Sequence, residues 1–257
     1  MKNKIIKTTL KIICPLVFWL AVWEGATYLI SEDLALFLPS PFSVIKALFV
    51  LLPENDFWIS TGTTLLRILI GFISGSVLGI ILGILTSEIK TADILISPVL
   101  KIIRAVPVVS FIILAFLFIE VDNLPAFISM LMVVPLVWQS VNDGLSSTDS
   151  KLIEMAKAYK INRFNTLIKI KIPSCLDQII SSLISAIGLA WKSGIAAEVI
   201  CTPEISIGKS IYRSKADLSY DKVYALTLTV VILSLIFEFL LKYLWKKYKS
   251  KEDKTNA

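Results

Sequence analysis

Histidine is absent from this chain of 257 residues. Without an imidazole, His-ligated zinc clusters, Ser-His-Asp triads and imidazole proton relays cannot be built. Cysteine is scarce. Cys14, Cys175 and Cys201 are odd in number, far apart and lack a C-x-x-C pair, which argues against a thiolate cage or redox pair and reads as apolar or weakly polar packing. Charge is thin as well: 18% of residues are charged against 56% hydrophobic, with mean hydropathy +0.78. That balance is too apolar for a soluble domain and too patterned for disorder, so the bilayer is the expected solvent. No internal repeat or low-complexity linker divides the chain. Residues 1–250 read as one membrane domain. At 251–257 Lys, Glu, Asp, Thr and Asn replace the apolar pattern and predict a disordered tail.

Six apolar runs are long enough to cross roughly 30 Å of hydrocarbon as helices of about 20 residues. Their approximate cores are Leu10 to Ile30, Thr61 to Leu85, Ile94 to Ile119, Ala126 to Val141, Ile179 to Ile200 and Val223 to Leu244. The fourth is short, and the third is interrupted by Ser97-Pro98 and by Arg104-Ala105-Val106-Pro107. All are expected to be helical, because backbone groups in lipid must be satisfied within the segment. The fold class is therefore an all-α polytopic membrane protein. The first run has a basic start and an apolar centre, as a signal peptide does. It continues to Ile30 without a clean small-x-small cleavage site, so a retained helix is expected.

The net charge of +6 lies beside the apolar runs rather than in a soluble stripe, which fits membrane lipid and not nucleic acid. Lys2, Lys4, Lys7, Lys11, Lys90, the basic residues of 151–171 and those from Lys242 to Lys254 fall on one side. Only Lys46, Lys209, Arg213, Lys215 and Lys222 fall on the other. The positive-inside rule then puts both termini and the loop between the fourth and fifth spans in the cytoplasm.

That loop carries the most information. It reads Glu154-Met155-Ala156-Lys157-Ala158-Tyr159-Lys160, then Ile170-Lys171-Ile172-Pro173. The spacing resembles the EAA loop of bacterial ABC importer permeases, in which an acidic residue and two small ones precede a glycine and Ile-x-Leu-Pro follows. Glu154, Ala156, Ile170 and Pro173 fit, and Ile172 replaces the leucine. Lys160 occupies the glycine position, and a lysine at positive φ costs roughly 1 kcal/mol. Asn162 is therefore expected to carry the turn instead.

Other segments resemble the same family, in its nitrate, taurine, aliphatic sulfonate and thiamine-precursor branch, from about Leu38 to Leu241. Leu38-Pro39-Ser40-Pro41-Phe42 resembles its external LPSP-type segment, with Ser40 able to cap a helix. Arg104-x-x-Pro107 is similar to a family pattern and suggests a surface helix turning into a shorter membrane helix, with Arg104 at the inner mouth or anchored to lipid phosphate. Ala197-Glu198 matches the end of the family's fifth helix. The resemblance implies about six transmembrane helices in a type I, MetI-like arrangement, with a cytoplasmic coupling helix in the loop at about 147–173. It also implies a homodimer or paralogous permease pair, a cytoplasmic ABC ATPase dimer that uses ATP and Mg, and an extracytoplasmic substrate-binding protein or lipoprotein.

No cofactor is expected on this chain, and no catalytic or metal site. Gly208-Lys209-Ser210 looks like the end of a Walker A loop, but the required first glycine falls on Pro203. ATP hydrolysis must come from the partner, so the chain itself is not expected to be an enzyme.

Ionisable residues inside spans are costly and mark function by default. Glu24 and Arg67 lie towards outer ends, where they can snorkel, and Glu238 has Lys242 at i+4. The fifth span, with Trp191, Lys192, Ser193 and Glu198, combines small residues with two opposite charges nearly two turns apart. These four, with Arg104 and Pro107, are candidates to line a pathway. The alternative for Lys192 and Glu198 is a buried ion pair with each other. For the whole chain the alternatives are an autonomous carrier or channel, or a vitamin-binding membrane component. Neither needs the Glu154 to Pro173 signature, and a carrier would show repeated halves. The polar span residues fit a sulfonate, taurine, nitrate or a thiamine pyrimidine precursor alike.

Overall fold

The computed structural model describes residues 2–29 and 36–255, with side chains over 14–29, Leu16 apart, and over 36–249. All regular structure among them is helical. Helix α1 spans Lys2–Leu29, and Ile30, the end of the first expected span, lies outside the described residues. Helix α2 spans Pro41–Leu51. It begins where the sequence predicts, with Pro41 in the first turn and the Ser40 hydroxyl accepting from the Ser43 N–H at 3.2 Å.

Among the described residues, four helical runs are long and apolar enough to cross a bilayer: α3 at Asn55–Glu88, α6 at Leu124–Ser146, the run Arg163–Cys201 that ends in α9 at Ile172–Cys201, and Tyr220–Lys249 within the last helix, α11. The broken pair α4 at Lys90–Ala105 and α5 at Val108–Ala115, bent by 103°, makes a fifth if the two are counted as one span. The bend falls at Val106-Pro107, where proline lacks a donor and forces extended backbone on the residue before it. Pro98 sits inside α4 without breaking it.

Two expected limits move. The fourth span was expected to end at Val141, yet α6 continues to Ser146, helped by the Gln139 amide donating to Asp143 at 2.7 Å one turn on. The last helix runs Tyr220–Thr255, so the backbone is helical over 251–255, where the sequence predicts a tail. Its polar end is rich in Lys, which favours helix once a preceding helix has nucleated it.

The centre of the bundle is the seam between α3 and α6. Gly71, Gly75, Gly79 and Gly83 recur every fourth residue on one face of α3 and lie against Ser129, Val133, Val137 and Val141 of α6. A Cβ on Gly79 would stand 2.8 Å from Val137 Cβ and 2.9 Å from the Val134 carbonyl oxygen, so the helices approach at backbone distance. Helix α9, Ile172–Cys201, closes the other side with Ala186, Ile187, Ala190 and Trp191 buried among Ile68, Val133 and Val137. A second cluster, Val44, Ala47, Phe57, Ile207 and Leu226, joins α2, α3 and α11 to helix α10, Ile207–Ala216.

Candidate functional site

The loop between α6 and α9 is ordered as two short helices. Helix α7, Ser150–Ala158, is capped by Asp149, whose carboxylate accepts from Lys151 N–H. Its end departs from the expected one. Lys160 itself takes the left-handed conformation, at φ 53°, and Asn162 does not carry the turn. The Ile161 N–H bonds the Ala156 carbonyl at 2.9 Å and the Lys160 N–H that of Lys157 at 3.0 Å. These two bonds form a Schellman end, which offsets the strain of a side chain at positive φ. Asn162, at φ −68°, instead caps helix α8, Arg163–Thr166, accepting from Asn165 N–H at 2.7 Å. Lys160→Gly is expected to stabilise the protein by roughly 1 kcal/mol, since glycine visits this region freely, read as a rise in unfolding midpoint in detergent.

From Leu167 to Lys171 the chain makes a π-helical turn that runs into α9, with Pro173 in the first turn of that helix. The Lys171 ammonium meets Glu88 at the end of α3 at 2.5 Å, which anchors the loop to the bundle. Ala156 is buried, whereas Glu154 is exposed. Leu152, Met155, Tyr159 and Phe164 are exposed too, Tyr159 at 77%. Ile170 and Ile172 are half-buried. A cavity of about 550 Å³ lies between the loop and the bundle, lined among others by Glu88, Ala156, Lys157, Arg163 and Lys171.

The fifth-span candidates separate. Six residues turn a helix by about 600°, so Lys192 and Glu198 point to different sides. Lys192 is exposed, on the side of α9 that also exposes Ser181 and Ser185. Trp191 and Ser193 are buried, and Ser193 Oγ donates to the Leu189 carbonyl at 2.9 Å within its own helix. Arg104 and Pro107 are exposed, with Arg104 facing Gln139 at 3.4 Å. Of the candidate pathway residues, Lys192, Arg104 and Pro107 are thus exposed, while Trp191, Ser193 and Glu198 lie in the protomer's own interior.

Glu198 is fully buried and does not pair with Lys192. Its Oε2 accepts from the Thr64 hydroxyl at 2.9 Å and from the Gly208 N–H at 3.1 Å, in the first turn of α10. Thr64 Oγ1 in turn accepts from the Ile207 N–H at 3.0 Å. Two N–H groups of a helix start thus serve one carboxylate, directly and through a hydroxyl. Gly208 is required for this approach, because a Cβ there would fall 2.2 Å from Glu198 Cβ. Arg67 does more than snorkel: it lies 3.7 Å from Glu198 Oε1, 2.5 Å from Asp122 and 2.7 Å from the Ile205 carbonyl. The sequence signal for this cluster was one lone cation and one lone anion in different spans, together with the Gly208 segment set aside as a Walker A decoy. Glu238 and Lys242 do pair, at 2.5 Å.

The comparisons agree with this architecture. A "Probable ABC transporter permease protein" of Haemophilus influenzae is 26% identical, over 89% of this chain and 92% of its own length. A nitrate import permease protein of Synechococcus elongatus is 23% identical, over 77% of this chain and 74% of its own. In fold, the chain is similar to a chain of the MetNI methionine ABC transporter in an inward-facing conformation. That similarity has a TM-score of 0.55 at 16% identity, covering 85% of this chain and 97% of the other. The model of the binding-protein-dependent transport system inner membrane component matches residues 75–250. The match takes in the loop, the broken end of α4 and the whole of α9, and the chain is a multi-pass ABC importer permease belonging to that family.

Proposed function

We propose that this chain forms one half of the substrate pathway of an ATP-driven importer, paired two-fold with a second copy or a close paralogue. The loop at 147–173 seats on a separate cytoplasmic ATPase, and both termini lie on the ATPase side. One observation carries the reading: an ordered, capped loop exposes Leu152, Met155, Tyr159 and Phe164 around Glu154. An apolar ridge with a charged anchor is the anatomy of an interface, the ridge giving affinity and the charge orientation.

The solute is a small anion delivered by an extracytoplasmic binding protein. This rests on Lys192, exposed on α9 with no partner among the described residues. A lysine facing hydrocarbon costs about 3 kcal/mol, so its face is expected to meet water and the second permease instead. The nitrate importer among its relatives is consistent with that charge.

The test is uptake into liposomes carrying the permease, its ATPase and its binding protein. Glu154→Arg is expected to reduce solute-stimulated ATP hydrolysis to its basal rate. Lys192→Met is expected to lower uptake at least about tenfold, the effect of about 1.4 kcal/mol, while the ATPase stays bound. Stimulated hydrolysis at the original rate in Glu154→Arg would contradict the docking, and uptake without the ATPase would favour an autonomous carrier.

A further inference from the structure

Arg67 is claimed by two carboxylates of opposite character. Asp122, in the connection between α5 and α6, is largely exposed, with 61% of its side chain accessible, whereas none of the Glu198 side chain is. Arg67 itself is 13% exposed and lies between them. The contact to Asp122 is short, at 2.5 Å, and the same guanidinium donates to the Ile205 carbonyl in the link between α9 and α10. Glu198 Oε1 is left 3.7 Å away with no hydrogen bond among the described residues.

A charge-assisted N–H···O bond closes at about 2.7–2.9 Å, so Glu198 falls roughly 1 Å short of one. A buried carboxylate oxygen without a donor is costly, and the donor able to correct this is Arg67. Moving the guanidinium onto Oε1 draws it away from Asp122 and Ile205. We propose that Arg67 is a two-position latch. Paired with Asp122, it holds the α5–α6 connection and the α9–α10 link against α3. Released from Asp122, it closes on Glu198 and frees both segments.

The exposed arm is the one that opens, because water and passing cations compete for Asp122 and cannot reach Glu198. The link leaves α9 through a left-handed Thr202, at φ 50°, and re-enters helix at the Ser206 cap, so it is bounded by two sharp changes of backbone direction. As a gate for solute the latch rests on the permease reading above. As a contact it does not.

The test reads the α5–α6 connection directly. Val121→Cys is introduced with Cys14 replaced by serine, since Cys175 and Cys201 are buried, and the rate of modification by a small polar thiol reagent is measured in the assembled transporter. Asp122→Asn is expected to raise that rate at least about fivefold, the low end of coupling between two sites. Glu198→Gln is expected to lower it, because Arg67 then commits to Asp122. Opposite signs are the signature of a shared cation. Equal signs, or no change in either variant, overturn the latch, since a static network would loosen in both. If Glu198→Gln does not accumulate, Glu198→Asp, whose shorter side chain draws the carboxylate back from Arg67, decides: a lowered rate beside a raised rate in Asp122→Asn supports the latch, and any other pattern overturns it. Modification needs no ATP, so a failed latch is told apart from a failed permease reading, which shows as loss of ATP-driven uptake.

Discussion

Arg67→Met is expected to destabilise the protein by about 3–5 kcal/mol, because it strands the Glu198 carboxylate in an interior it cannot leave. Glu198 is fully buried, its Oε2 is already served by Thr64 and Gly208, and Arg67 is the cation that faces it, at 3.7 Å. Removing the cation leaves an uncompensated charge; removing both charges does not. Arg67→Met with Glu198→Gln is therefore expected to regain most of the loss, a coupling that marks residues sharing one network. Unfolding midpoints of the purified chain in detergent measure the cycle. Additive losses in the double variant would mean that Arg67 stabilises the fold through Asp122 and Ile205 alone.

Gly79→Leu is expected to prevent stable folding, with a cost of about 3 kcal/mol or more from overpacking at the α3–α6 seam. The first added atom would lie 2.8 Å from Val137 Cβ and 2.9 Å from the Val134 carbonyl, and the carbonyl belongs to a helix that cannot yield locally. Gly62, on the same helix, is the control. A Cβ there meets nothing within 4 Å, so Gly62→Ala is expected to be neutral or to stabilise by up to about 1 kcal/mol through helix propensity. Membrane accumulation and monodispersity after extraction report both. A well-folded Gly79→Leu chain would mean that α3 and α6 do not meet as described.

The backbone plan was largely legible in the sequence. Apolar run length gave five of the six expected spans, counting the broken pair as one, Pro107 gave the break, Ser40 gave the start of α2, and fixed offsets from Glu154 to Pro173 gave the loop. These are signals carried by one continuous stretch of chain, with no partner segment needed to read them. Lys160 escaped because its strain is offset by two hydrogen bonds to Ala156 and Lys157, which a φ preference taken alone does not contain. The glycine repeat of α3 announces that some helix comes close, but α6 as the partner depends on Ser129, Val133, Val137 and Val141 presenting a matching face. The site was less legible because it is made between helices. Lys192 and Glu198 are close in sequence yet occupy different faces of α9, while the cation facing Glu198, Arg67, lies on α3 and the hydrogen-bond donors to Glu198 are Thr64 on α3 and Gly208 on α10.

The central claim is that this permease is driven through the loop at 147–173 by a separate ATPase. Its most direct measurement is site-specific cross-linking in the assembled complex. Met155→Cys, on the exposed face of α7, is tested with a short bifunctional thiol reagent against single cysteines placed over the surface of the ATPase. Efficient cross-linking from Met155→Cys, lost on adding Glu154→Arg, is the predicted result. No cross-link from Met155→Cys, with efficient cross-linking from a cysteine placed instead at Lys209 in α10, would put the ATPase at the other end of the bundle and contradict the account.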